Sequence, residues 1–81
     1  MLLKPLGANR TAIEFNDGSA VLFSYATPVA AFLPGTGYVR TDKAWSRTTA
    51  KHITQWIDGA SAATRPQTFF DDLASSRRAA A

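Results

Sequence analysis

The chain contains no cysteine. Neither a disulfide nor a thiolate metal site can staple it, a composition suited to a reducing cytosol. Histidine occurs once, at position 52. Acidic residues are few and scattered, and only Asp71 and Asp72 are adjacent. Neighbours in a helix point about 100° apart, so that pair is no catalytic dyad. A nucleophile with its base and orienting group, or a convergent metal cluster, has little to be assembled from. Gly35-Thr36-Gly37 lacks the lysine and the following helix of a phosphate-binding loop. These absences predict a protein that is not an enzyme and takes no cofactor and no metal. No apolar run approaches the roughly 20 residues of a membrane span. The opening "MLLKPLG" is too short for a signal peptide. The expectation is a cytoplasmic protein with no membrane partner.

What the chain does have is an ordinary apolar share, 46%, with two tryptophans, two tyrosines and five phenylalanines to fill a centre. At 81 residues it makes one small domain, able to bury about 60% of its unfolded surface. The net charge of +3 is unevenly placed. Lys4 and Arg10 balance Glu14 and Asp17 in the first half. Arg65, Arg77 and Arg78 balance Asp58, Asp71 and Asp72 after position 52. The excess lies between 40 and 52, where Arg40, Lys43, Arg47 and Lys51 face only Asp42. Such a cluster suits phosphates or an acidic protein surface; its bland counterpart is a solvated face.

The first half reads as antiparallel strands. "RTAIEFN" alternates, with Ile13 and Phe15 on one side, and "SAVLFSYA" follows the turn "NDG". A three-residue loop Asn16-Asp17-Gly18, with Gly18 left-handed, pairs Ile13 with Val21 and Thr11 with Phe23. A two-residue turn would shift the register by one and move every side chain to the other face. Only the first choice gathers Ile13, Phe15, Val21, Phe23 and Tyr25 on one face. Thr27-Pro28 breaks the strand, "VAAFL" is a short third one, "PGTG" turns the chain, and "YVRT" is a fourth.

Ser46 is a good helix N-cap and Gly59 a good residue just past the end. Between them Thr49, Ala50, Ile53, Trp56 and Ile57 share one arc, opposite Arg47, Lys51, Thr54, Gln55 and Asp58. A helix this short needs a docking surface, and the apolar sheet face is the expected one. "ASAAT" reads as a linker. "RPQTFFDDLASSRR" reads as a second helix or a mobile tail, with Pro66 in its first turn and a stripe of Phe69, Phe70, Leu73 and Ala74. Arg77 and Arg78 near its end favour the helix dipole.

Each candidate residue has a functional and a structural reading. His52 is either a stacking or proton-sensing position or a half-buried histidine resting on Trp56. Trp45, flanked by Lys43 and Arg47, is either an exposed stacking residue or a staple onto Ala50 or Lys51. Arg47 and Lys51, at i and i+4, repel by a few tenths of a kcal/mol, which a bound anion or a nearby Asp42 or Asp58 would relieve. Thr48 and Thr49 offer hydroxyls at a helix N-terminus, beside a Ser46 that capping alone explains. Phe69, Phe70 and Leu73 either close the core or meet a partner.

The stretch "FSYATPVAAFLPGTGYVRTDKAWSRTTAKHITQWI" resembles a group of small, mostly uncharacterised proteins of phages and prophages. Their pattern is an aromatic-Ser-Tyr-x-Thr-Pro-Val-Ala strand, a glycine-rich turn and a Ser-x-Thr-Thr-x-x-His-Ile-x-x-Trp helix, covering about residues 9–58. The matching positions are Ser24, Tyr25, Thr27, Pro28, Val29, Ala30, Gly37, Tyr38, Ser46, Thr48, Thr49, His52, Ile53 and Trp56. The resemblance implies a phage or mobile-element accessory protein working inside a bacterial host cell; no catalytic role travels with it.

The sequence thus predicts a small α+β domain. A three- to four-stranded antiparallel meander carries helix 46–58 on one face within residues 1–59. Residues 60–81 hold a linker and a C-terminal helix or mobile tail. The expected function is a non-enzymatic binding module that contacts nucleic acid mainly through phosphates, using Arg40, Lys43, Trp45, Arg47, Thr48, Lys51 and His52. The alternative is a protein-interaction factor docking on an acidic host surface, such as an anti-CRISPR-like inhibitor of a defence complex. A third expectation is a homo-oligomer formed through Phe69, Phe70 and Leu73 of the C-terminal segment.

Overall fold

The structure, a computed structural model, describes residues 2–7, 9–25, 27–43 and 45–80. Six strands follow in chain order as neighbours in one sheet: β1 (Leu2–Gly7), β2 (Arg10–Glu14), β3 (Ala20–Ser24), β4 (Thr27–Leu33), β5 (Gly37–Thr41) and β6 (Ala62–Arg65). The first five pair antiparallel; β6 runs parallel to β5. Parallel neighbours need a long crossover, here carrying helix α1 (Arg47–Ile57). Helix α2 (Gln67–Ala80) follows β6.

This overturns the predicted three- to four-stranded meander: the sheet is six-stranded and mixed. Two strands are hidden in the sequence for physical reasons. β1, "LLKPLG", has no alternation and contains a proline, which a ladder tolerates only at an edge or irregularity. It is an edge strand, with a register shift between Pro5 and Gly7. β6 occupies most of the stretch read as a linker. Its small residues carry no apolar pattern, and its pairing of Val39 with Ala63 is made across the crossover. Thr27-Pro28 does not end a strand either. Both belong to β4, where Pro28 sits beside the register shift between Leu22 and Phe23, the kind of site that accommodates proline.

The hairpin register is the predicted one. Ile13 faces Val21 and Thr11 faces Phe23. The Phe15 N–H donates to the Ser19 carbonyl at 2.9 Å, and Gly18 has φ +90°. The Asp17 carboxylate accepts from the Ser19 N–H at 2.9 Å and from its hydroxyl at 2.6 Å, tightening the loop.

Four consecutive residues of β3, Val21 to Ser24, are buried, so both faces of the sheet need a cover. On one face Val21, Phe23, Ala31 and Val39 pack with Phe70 and Ala74, flanked by Ile13, Phe15, Leu33, Phe69 and Leu73. On the other, Leu22, Val29 and Ala30 pack with Ile53 and Ile57 of α1. The Ile13–Val21–Phe23 face is therefore covered by α2, and α1 lies on the opposite face from the one expected. Tyr25 leaves that row altogether. It has φ +62°, is exposed, and sits 6.2 Å from the His52 ring.

Phe70 is fully buried and Phe69 and Leu73 are partly so, within the chain's own core. Of the two readings of this stripe, closing the core is the one that Phe70 fulfils. Burying Phe70 contributes on the order of 2–3 kcal/mol, which a free tail would forgo. Gln67 locks the start of α2. Its Nε2 donates to the Pro28 carbonyl at 2.7 Å and to Asp71 Oδ1 at 3.1 Å, while its Oε1 accepts from Thr41 Oγ1 at 2.8 Å. The side chains of Arg77 and Arg78 lie outside the described residues.

Candidate anion-binding site

Helix α1 begins as its sequence dictates. Ser46 is extended (φ −67°, ψ 166°) and its Oγ accepts from the Thr49 N–H at 3.2 Å. The end is left-handed at Asp58 (φ +55°) and Gly59 (φ +80°). The first turn holds no acidic residue and the last turn no basic one, so the helix dipole is uncompensated by its own charges.

The inner face of α1 is only partly apolar. Beneath its first half runs a buried polar chain. Ser24 Oγ lies 3.0 Å from Thr49 Oγ1 and 2.9 Å from His52 Nδ1. Thr49 Oγ1 also accepts from the Ser46 hydroxyl at 3.4 Å, a long contact. Ser24, Thr49 and His52 are all buried, and buried polar groups are stable only when paired. His52 is thus anchored by a hydroxyl rather than merely resting on Trp56. Burial holds its pKa below the ordinary 6.5, and the charges of Arg10 and Lys51 push in the same direction. The ring is therefore neutral near pH 7. With Nδ1 engaged by Ser24, Nε2 is its remaining polar atom, and among the described residues no partner is seen there.

The His52 ring also lines an open cleft of about 350 Å³ between β2 and α1, with Arg10, Thr48, Lys51 and Gln55. Two cations, a hydroxyl, an amide and an imidazole converge there, and no carboxylate appears among the described lining residues. The Arg10 guanidinium is held by the Gln55 amide oxygen and, through Nε, by the Leu6 carbonyl at 3.2 Å. It is positioned by neutral acceptors, which leaves its charge uncancelled. The cleft continues toward Leu6, Trp56 and Asp58.

The predicted cationic stripe is divided by this geometry. Lys51 and Thr48 reach the cleft with His52, and Arg47 is exposed on the first turn of α1. Arg40 lies on the other flank of the helix, in a smaller opening with Thr54, Ile57, Gly59 and Ala62. Lys43 stands over the Trp45 ring, 4.3 Å from its centroid. Trp45 donates from Nε1 to Gln67 Oε1 at 3.1 Å, so it ties the β5–α1 loop to α2 instead of stapling onto Ala50 or Lys51. Among the described residues, neither Asp42 nor Asp58 forms an ion pair with these cations.

Arg10 is the residue that sequence reasoning missed. In the charge ledger it is balanced by the acids of its own hairpin, yet it meets a residue 45 positions away. Its signal was available in the register: pairing Thr11 with Phe23 sets Arg10 opposite Ser24, whose hydroxyl meets His52.

A small three-layer domain with a polar, cation-flanked helix on one side is the class this arrangement defines. The chain belongs to the family of unknown function DUF8033, which it matches over residues 1–72. That span takes in the whole sheet, α1 and the first six residues of α2. No curated protein and no solved structure matches the chain. Among the described residues no helix is long and apolar enough to cross a membrane, and no group of three potential metal ligands is present.

Proposed function

We propose that this protein is a non-enzymatic module that binds nucleic acid mainly through its phosphates, at the flank of α1 where Arg10 and Lys51 converge. The supporting observation is the convergence of Arg10 and Lys51 with Thr48, His52 and Gln55 in the part of the cleft that holds no carboxylate among the described residues, Asp58 lining only its continuation toward Trp56. Cations held by neutral acceptors alone, as Arg10 is, favour an external anion, and the like-charged pair Arg47 and Lys51 is relieved by one. The neutral His52 and the Thr48 hydroxyl add hydrogen-bonding capacity without repelling phosphate. A binding role without catalysis is supported by Ser24, whose hydroxyl is engaged by Thr49 and His52 beneath the helix, out of reach of a substrate. Three or so cations give modest affinity and little base readout. The resemblance to phage and prophage proteins supports a site of action in the cytoplasm of a bacterial host.

The test is binding of short DNA at two salt concentrations. Affinity falls as salt rises, with a slope near −0.9 per duplex phosphate contacted. Arg10→Gln and Lys51→Glu each reduce both the affinity and the slope. No binding at low salt, or no loss in either variant, would overturn the reading.

A second reading, docking on an acidic host protein as an anti-CRISPR-like inhibitor would, is favoured by the free edge of the sheet. Leu3 is 61% and Leu6 39% exposed on β1, and an edge strand offers unpaired backbone groups to a partner.

A further inference from the structure

The cleft of Arg10 and Lys51 adjoins, through Arg10, His52 and Gln55, an opening that Leu6, Trp56 and Asp58 also line. The same tryptophan borders a second opening of about 340 Å³, where the α1 face of the sheet runs past the end of the helix. Its walls include Phe32 and Tyr38, together with Glu14 and Ser19. The three rings meet edge to face: Phe32 and Tyr38 at 5.0 Å and 63°, Tyr38 and Trp56 at 5.4 Å and 87°. On the opposite side of the sheet Phe70 is sealed, with Phe15 and Phe69 partly buried around it. Phe32, Tyr38 and Trp56 are only partly buried, and they line an opening that shares a wall with a cationic cleft. A helix that keeps its tryptophan at the junction of a basic and an aromatic opening presents the two surfaces a nucleotide needs. Cations take the phosphate, and ring faces take the base.

We propose that the ligand is a single-stranded nucleic acid, with backbone phosphate at Arg10 and Lys51 and an unpaired base stacked in the opening formed by Trp56, Tyr38 and Phe32. The proposal rests on the phosphate reading above and narrows it. Duplex bases are stacked on each other inside the helix and cannot enter such an opening, whereas a single strand can turn a base into it. Stacking accepts every base, so little sequence preference accompanies it.

The experiment uses the full chain and labelled 15-nucleotide probes read by fluorescence anisotropy at low salt: oligo-dT, oligo-rU, an abasic strand with the same number of phosphates, and a duplex. Base stacking predicts that dT or rU binds roughly tenfold more tightly than the abasic strand, and more tightly than the duplex. Trp56→Leu, which keeps an apolar side chain at the position, removes most of that margin while leaving the abasic strand's affinity in place. Tyr38→Leu provides a second variant should the first fold poorly. Preference for either sugar supports the proposal. Equal affinity for abasic and base-bearing strands, or tighter binding of the duplex, overturns it while leaving the phosphate reading intact. No binding of any polyanion overturns both, and points instead to a protein partner.

Discussion

The two sides of the sheet are built on opposite principles. Under α2 the central contacts are apolar, Val21, Phe23, Ala31 and Val39 meeting Phe70 and Ala74, and the polar contacts gather at the start of the helix, where Gln67 meets Thr41 and the Pro28 carbonyl. Under α1 a shorter apolar patch of Leu22, Val29, Ala30, Ile53 and Ile57 shares the interface with Ser24, Thr49 and His52. It is edged by two openings, one cationic and one aromatic. A chain of 81 residues has only a few kcal/mol of net stability to distribute. Concentrating it under α2 leaves α1 free to carry polar groups whose burial favours one geometry more than it favours folding.

The contrast can be broken at its strongest point first. Phe70→Ala removes the fully buried ring of the α2 side and should cost about 3–5 kcal/mol, enough to unfold much of the population. Urea denaturation measures it, and a loss below about 1 kcal/mol would deny α2 its structural role. Ser24→Ala, on the polar side, strips His52 Nδ1 and Thr49 Oγ1 of their shared partner. The expected cost is about 1–3 kcal/mol, read by the same denaturation. Lys51→Glu should leave the urea midpoint almost unchanged but weaken polyanion binding about tenfold, with a shallower salt dependence. That dissociation of binding from stability is what the comparison demands.

The smallest effect is with pH. His52 has a folded-state pKa below its unfolded value of 6.5. Above that value the ring is neutral in both states and the stability is fully present. As pH falls below about 6.5 toward the lowered folded value, the unfolded chain takes up the proton first and stability declines. Because the chain has one histidine, thermal unfolding between pH 7 and 5.5 isolates this group. The midpoint should drop on acidification, and His52→Asn should flatten the drop.

What could be read from the sequence was local. The bulged hairpin, the Ser46 cap and the Gly59 stop each depend on a few adjacent residues, and each is found as expected. What escaped was set by distant pairing. Both faces of β3 are apolar, so nothing in Val21-Leu22-Phe23 says which helix covers which side. β6 is a strand because β5 lies beside it, not because "AATR" favours extension. Arg10 enters the cationic cleft through Gln55, a meeting that charge counts along the chain hide. Ser24, Thr49 and His52, separated in sequence, form one hydrogen-bonded chain.

The crossover from β5 through α1 to β6 has a last consequence. Both ends of the helix are tied to strands that hydrogen-bond to each other, so the helix cannot swing aside without tearing the sheet's edge. A ligand arriving at its flank meets a surface whose shape was already set when the chain folded. Encounter should then be close to rigid docking, with fast association, little heat-capacity change beyond the area covered, and affinity differences among ligands appearing mainly in how quickly each one leaves.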